Sequence, residues 1–220
     1  MKEEAGVIFS ISGDNRPIPG CTVSKEIYNS EDGYITHFSM AADTDISAEI
    51  YGYHKLLIIA SGELTMYAPG MNKEWKLKPR DLLITPTGTP VGIRTETDTV
   101  YTELSLGRSM MMNNAIHVGE VFRLADLVPY QDGKIVNMDV AHNEKMKFVI
   151  MVFDAGTGLA EHAAPGEALI FALDGEGIIG YEGKAHTIKA QENFAFAKGG
   201  THWVKAEKRF KMALLLTLES

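Results

Sequence analysis

Side chains able to bind a metal or a polar ligand occur together in the segment EHAAPGEALIFALDG, residues 161–175. His162 opens this segment, a Pro-Gly turn follows, and Glu167 comes directly after the turn. Two imidazoles and a carboxylate are the ligand set of many non-haem iron and manganese sites, which keep positions open for substrate or oxygen. The segment therefore indicates either metal chemistry or a polar pocket that needs no metal.

Other kinds of catalytic site find no support in the sequence. It contains no Gly-x-Ser-x-Gly elbow, no phosphate-binding glycine loop and no HExxH motif. Cys21 is the single cysteine, so neither an intrachain disulfide nor a cysteine-rich zinc site is expected. The histidine-containing segment is left as the main candidate for chemistry.

The charge balance and the hydropathy pattern limit the partners of this chain. The formal net charge is −8, which repels polyphosphate, so we expect neither nucleic acid nor an anionic membrane surface as a partner. No apolar run approaches the roughly 18 residues of a membrane span. The first residues, MKEEAG, lack the apolar region of a signal peptide. We predict a cytoplasmic protein whose partner is a small molecule.

The elements that would position His162 are short strands arranged in two similar halves. LLIIASGELTMYAPG (56–70) resembles LIFALDGEGIIGYEG (169–183), and LKPRDLLITPTGTPVGI (77–93) resembles IKAQENFAFAKGGTHWV (188–204). The two pairs have offsets that agree within two residues, which indicates a duplication. Apolar segments broken by Gly, Pro, Asn or Asp at intervals of about 8–12 residues are typical of an all-β sandwich or barrel.

The region between the halves predicts the domain boundaries. We expect an N-terminal domain over residues 1–108, a linker over 109–117 and a C-terminal domain over 118–220. Residues 110–114 have neither a strand nor a helix pattern. Apolar residues near helical spacing over 118–127 predict a short connecting helix that Pro129 ends.

The glycine frame of the second half resembles the cupin superfamily. Cupins share a first motif of Gly, five residues, His-x-His, three or four residues, Glu, six residues and Gly. Gly156, His162 and Gly175 match it, whereas Ala164 and Ala168 stand at the second histidine and the glutamate. In the second cupin motif, Gly199 and His202 match, and Ala197 replaces the proline.

The first half keeps the same frame with fewer ligand-type residues. Glu49 and Tyr51 stand at the two histidine positions, Lys55 at the glutamate position and Val91 at the histidine of the second motif. The resemblance implies two tandem double-stranded β-helix (jelly-roll) barrels, a bicupin with an all-β fold. Tyr51 could hydrogen-bond a small polar molecule in the first barrel, or simply fill the space of the missing metal.

The resemblance implies that His162 and His202 meet inside the second barrel, and two functions follow. In the first, the pair binds a small polar or weakly acidic molecule without a full metal site. In the alternative, His162, His202 and Glu167 hold Mn, Fe, Ni or Zn in an oxygenase-type or isomerase-type enzyme. Exposed strand edges could also support a homodimer. The sequence leaves enzymatic activity open.

Overall fold

The protein is nearly all β. The computed structural model describes residues 1–31, 33–107 and 109–218. Its first ten strands are β1 (Ile8–Phe9), β2 (Thr22–Ser30), β3 (Gly33–Met40), β4 (Thr44–Ile50), β5 (His54–Ser61), β6 (Leu64–Ala68), β7 (Lys73–Leu77), β8 (Leu82–Ile84), β9 (Pro90–Thr95) and β10 (Thr99–Leu106). The others are β11 (Met111–Met112), β12 (Val121–Phe122), β13 (Ile135–His142), β14 (Met146–Phe153), β15 (Gly158–Ala163), β16 (Glu167–Tyr181), β17 (Lys184–Lys189), β18 (Asn193–Phe196), β19 (Thr201–Lys205) and β20 (Phe210–Thr217).

In the residues that the structure describes, helical structure is confined to single turns. These are α1 (Ile11–Asp14), α2 (Leu124–Leu127) and a 3₁₀ turn at Pro69–Met71. Within the described ranges, no helix is long and apolar enough to cross a membrane.

The chain divides into two compact units. The N-terminal unit comprises Ile11–Ser109 and Asn114–Arg123, and the C-terminal unit comprises Met1–Ser10, Met110–Asn113 and Leu124–Ser220. These units interleave in sequence. The predicted boundary residues 108 and 220 lie outside the described residues. The boundaries 1–108 and 118–220 therefore stay predictions.

Each unit has its own sheets and its own core. The N-terminal unit contains a six-stranded sheet ordered β12-β8-β5-β10-β3-β2 and a four-stranded sheet ordered β4-β9-β6-β7. In the C-terminal unit one sheet runs β1-β18-β16-β20-β14-β13-β11, with β15, β17 and β19 joined to it through β16. Among the strands that the structure describes, no sheet closes into a barrel.

The connecting region is more ordered than its sequence pattern predicts. The expected helix over 118–127 is reduced to the four residues of α2, because Val121 and Phe122 pair with Leu83 and Leu82 of β8. Residues 111 and 112, predicted to be irregular, form β11 against His142 and Ala141 of β13. Inter-strand hydrogen bonds to exposed sheet edges, which local periodicity does not reveal, account for both differences.

The repeated sequence landmarks have matching backbone conformations. Gly62 and Gly175 follow the long apolar runs of β5 and β16 with φ of 76° and 74°. A Cβ on Gly175 would lie only 2.0 Å from the carbonyl oxygen of Arg209, so glycine is required there. Arg80 and Gln191, which also occupy corresponding positions in the two halves, both adopt positive φ. The two halves thus share their turns as well as their apolar runs.

Candidate functional site

Two antiparallel strands of the C-terminal unit bring His162 and His202 together. His162 on β15 is directly opposite His202 on β19, next to an irregularity in the register of the pair. The two ring centroids are 4.2 Å apart, and the His202 ring also stacks on Phe196 at 4.1 Å. The structure therefore brings together the two histidines that the sequence singled out.

Backbone carbonyls orient both imidazoles. Nδ1 of His162 lies 2.9 Å from the carbonyl oxygen of Ala160, and Nδ1 of His202 lies 3.3 Å from that of Gly200. A carbonyl oxygen only accepts, so Nδ1 is the donor in each contact. In the neutral form of either ring this leaves Nε2 as an acceptor for a ligand proton or a cation.

The two histidines differ in exposure, and this affects their chemistry. His162 is exposed, whereas His202 is 7% exposed. Burial lowers the pKa of His202, and the nearby His162 lowers it further, although the Gly200 carbonyl opposes this shift. His202 is therefore held in its neutral form at neutral pH, where its ring can accept a hydrogen bond.

A cavity of about 310 Å³ opens beside the histidine pair. Its polar lining comes from His162, His202, Asn137 and Lys147. Its remaining walls are apolar and consist of Val149, Met151, Leu159, Ala164, Pro165, Ala168, Phe196, Val204, Met212, Leu214 and Leu216. A concave, largely apolar space with a few convergent polar groups is the usual form of a small-molecule site.

Glu167 is directed to a different partner. Its carboxylate forms an ion pair with the amino group of Met1, and it is not among the described residues that line the cavity. Its neighbour Ala168 does line the cavity, as does Ala164. Adjacent strand residues point to opposite faces, so Glu167 and Ala168 cannot both face the histidines. The assignment of Glu167 as a metal ligand stays a prediction that this geometry does not support.

The donor set does not fit a three-ligand metal centre. Across the described ranges there is no group of three or more His, Cys, Asp or Glu side chains placed to hold a metal ion. The cavity presents two imidazoles, and alanine methyl groups stand where the cupin pattern has a second histidine and a glutamate. The side chains at this cavity therefore fall one ligand short of such a centre.

The corresponding region of the N-terminal unit contains a buried ion pair. Lys55 lies at the glutamate position of the cupin pattern, and its Nζ is 3.1 Å from Oε1 of Glu103 on β10. Tyr51 stacks on that ammonium, with Nζ 3.5 Å from the ring centroid, and donates to Glu49 at 2.7 Å. Tyr51 also lines a separate cavity of about 230 Å³. Its place in that cavity agrees with either role considered for it.

Glu103 is a buried charged residue that the sequence motifs did not identify. It lies within TVYTELSL, a strand buried at every position, and it accepts a hydrogen bond from the Tyr34 hydroxyl at 2.6 Å. A charged residue inside an otherwise uncharged strand was the available signal, because an ionised side chain is rarely buried without a partner.

Comparison with known proteins supports a cupin-type fold for this chain. No family model and no curated protein matches the chain. A cupin 2 conserved barrel domain protein from Leptotrichia buccalis is 28% identical, with a TM-score of 0.85 over 98% of both chains. A salicylate 1,2-dioxygenase variant from Pseudoaminobacter salicylatoxidans has a TM-score of 0.60 at 12% identity, over 86% of this chain and 71% of that one.

A more distant structural neighbour has the same fold. An oxalate decarboxylase variant from Bacillus subtilis has a TM-score of 0.53 at 11% identity, over 100% of this chain and 79% of that one. Identities this low establish likeness of fold and leave the activity open. The fold is therefore that of cupin-type jelly-roll proteins.

Proposed function

We propose that the chain is a bicupin whose C-terminal cavity binds a small polar or weakly acidic molecule through His162 and His202. The observation that carries the proposal is the pairing of these imidazoles across β15 and β19, at 4.2 Å, on the wall of a cavity that is otherwise mostly apolar. Because both Nδ1 atoms contact backbone carbonyls, the Nε2 atom of each ring is left for a ligand.

The polar rim of the cavity supports an acidic ligand. Lys147 lines the cavity and is 41% exposed, with its Nζ 3.1 Å from Asp139. Asn137 adds an amide that can donate as well as accept. A carboxylate or enol on the ligand can therefore meet a cation at the rim while a donor on the ligand meets the neutral His202.

The bicupin part of the proposal rests on the matched halves. Glu49 faces Val91 in the register of β4 and β9, just as His162 faces His202 in β15 and β19. Gly88 donates to the carbonyl of Tyr51, and Gly199 donates to the carbonyl of Ala164, at corresponding positions. Corresponding positions of the two halves are thus paired in the same way. Of the four positions that hold metal ligands in the cupin pattern, two are histidines in the second half and none is a histidine in the first.

A cytoplasmic location and a homodimer belong to the same proposal. An acidic chain with a single, exposed cysteine suits a reducing compartment. Sedimentation of the untagged protein at several concentrations measures whether it dimerises.

Ligand binding is tested by calorimetry and thermal unfolding with a defined panel of acids. The panel begins with salicylate and oxalate, the acids in the names of two structural neighbours, a salicylate 1,2-dioxygenase and an oxalate decarboxylase. Other small hydroxy and keto acids follow. A ligand at one hundred times its Kd should stabilise the folded protein by about 2.7 kcal/mol. His162→Ala and His202→Ala should abolish the shift, while the exposed His117→Ala serves as the control.

Two results would overturn this proposal. An acid that binds equally well to wild type and to both cavity variants would place its site elsewhere. Stoichiometric Mn, Fe, Ni or Zn in untagged protein, lost in His162→Ala and in His202→Ala, would favour the metalloenzyme alternative instead.

A further inference from the structure

The N-terminal unit contains a second cavity that the proposed function does not use. It measures about 230 Å³ and is lined by Tyr51, Lys55 and Glu103 together with apolar side chains. The side chains of Lys55 and Glu103 are only 11% and 4% exposed. Burying an ion pair costs desolvation energy that the attraction between the charges must offset. Apolar residues at both positions would often give a folded state of equal or greater stability.

Lys55 retains hydrogen-bonding capacity inside this cavity. Its ammonium has three donors, one of which meets Glu103, and one face rests on the Tyr51 ring. In the part of the chain that the structure describes, Lys55 has no further side-chain acceptor. A buried ammonium with an unused donor next to open space can meet an acceptor atom of a ligand.

The charge of this site is already balanced. Lys55 and Glu103 together carry no net charge, and the Tyr34 hydroxyl donates to the same carboxylate oxygen of Glu103. A second anion beside Lys55 would add an unpaired negative charge to a buried site, where charges are poorly screened. A neutral ligand that brings an acceptor oxygen adds no such charge.

The walls define the size and character of the occupant. Leu57, Met66, Val91 and Ile93 supply an apolar lining, and Val91 stands where the other half has His202. An apolar cavity of about 150 Å³ can hold benzene, so this larger cavity has room for a ring and a polar substituent.

A buried phenol lies near the ion pair. Tyr101 is two residues from Glu103 on β10 and therefore on the same strand face, and it stacks on Phe38, which lines the cavity. Its hydroxyl is buried and has no hydrogen-bond partner among the described residues. A buried hydroxyl without a partner is costly, but Tyr101 is not among the described residues that line the cavity, so the ligand contacts assigned here are those of Lys55 and the apolar walls.

We propose that this N-terminal cavity is a second ligand site, specific for a neutral compound with a benzene-sized body and a carbonyl oxygen that accepts from Lys55. The site replaces metal coordination with an ammonium: Lys55 occupies the position of the cupin glutamate, and Glu103 supplies the counter-charge. It is independent of the histidine pair of the C-terminal unit.

Benzamide and benzoate are the test probes, because they match in shape and differ in charge. Titrations are followed by calorimetry and by the methyl NMR signals of Leu57, Val91 and Ile93, which report on this cavity alone. Benzamide should shift these signals in wild type, and benzoate should need at least about tenfold higher concentration. Equal or tighter binding of benzoate at these methyls would refute the neutral-ligand specificity, and no shift with benzamide would refute the site.

Variants assign the binding to Lys55. Lys55→Met combined with Glu103→Leu removes both charges together and leaves no buried charge alone, and it should weaken benzamide about tenfold or more. Lys78→Met is the matched control, since Lys78 forms an exposed ion pair with Glu63. Val91→Phe fills the cavity and should abolish binding even if the double variant does not fold.

Two further results would overturn this assignment. Benzamide binding that persists unchanged in the double variant or in Val91→Phe would show that neither Lys55 nor the cavity is used. Loss of the wild-type methyl shifts on His162→Ala would contradict the independence of the two sites, whereas failure of acid binding at the histidine pair leaves this proposal unaffected.

Discussion

At the residue scale, burial sets the ionisation of His202. The folded protein binds a proton at this ring only at a pH below the ordinary histidine value of 6.5, because burial opposes the charged form. The unfolded chain binds that proton near pH 6.5. Lowering the pH through this value therefore favours the unfolded state, and the destabilisation grows until the folded ring is protonated as well.

The pH dependence of stability tests this electrostatic description. Between about pH 7.5 and pH 5, the free energy of unfolding of wild type should fall more steeply than that of His202→Gln, which has no proton to bind at that position. Urea unfolding at each pH measures both. Parallel curves for wild type and His202→Gln would contradict the assigned shift.

Replacing the two cavity alanines by ligand residues should give the protein a metal site. The methyl groups of Ala164 and Ala168 line the same space as both imidazoles, so Ala164→His with Ala168→Glu should complete a metal site. The double variant should be less stable than wild type without metal, because it buries a carboxylate. It should then gain about 2.7 kcal/mol with Mn²⁺ or Ni²⁺ at one hundred times the Kd.

Calorimetric titration of the metals measures this gain. Ala163→His is the control, because Ala163 is exposed and, next to His162 on β15, points to the opposite face of the strand. Metal binding by the control as strong as that by the double variant would show that the cavity geometry is not responsible.

At the element scale, the long strand β16 depends on the backbone of Gly175. Gly175→Ala would meet the Arg209 carbonyl as well as the strain of positive φ. Gly183→Ala is the matched control, since Gly183 has φ of 76° and open space around its Cα. The control should lose about 1 kcal/mol from strain alone, and Gly175→Ala should lose clearly more. Equal losses in urea unfolding would contradict the steric argument.

Strand pairing also explains which part of the site could be predicted. The resemblance to the cupin motifs identified His162 and His202, because it places both at ligand positions, and the structure pairs them directly across β15 and β19. The orientation of Glu167 depends on how the chain leaves the Pro165-Gly166 turn, which spacing does not determine. No sequence motif indicates Glu103, because its partner Lys55 is distant in sequence and comes close only through the pairing of β5 with β10.

At the scale of the whole molecule, the units do not follow the simple division of the repeat. The first ten residues belong to the C-terminal unit through β1, which pairs with β18 at Phe194 and Asn193. Residues 114–123 belong to the N-terminal unit, where Trp75 donates to the Gly119 carbonyl at 2.7 Å. Such exchanges depend on edge hydrogen bonds and buried contacts made by short segments with little periodic pattern of their own.

The sequence by itself determined the β-rich pattern and the repeated glycine turns, because these depend on local turn chemistry and on periodicity within strands. The resemblance to the cupin motifs added the two histidines. Only the tertiary structure decided that Glu167 pairs with the amino group of Met1 and that Lys55 pairs with Glu103. Both ion pairs join strands or segments far apart in the chain. Their formation depends on sheet register and on burial, which act between segments and leave no local trace in sequence.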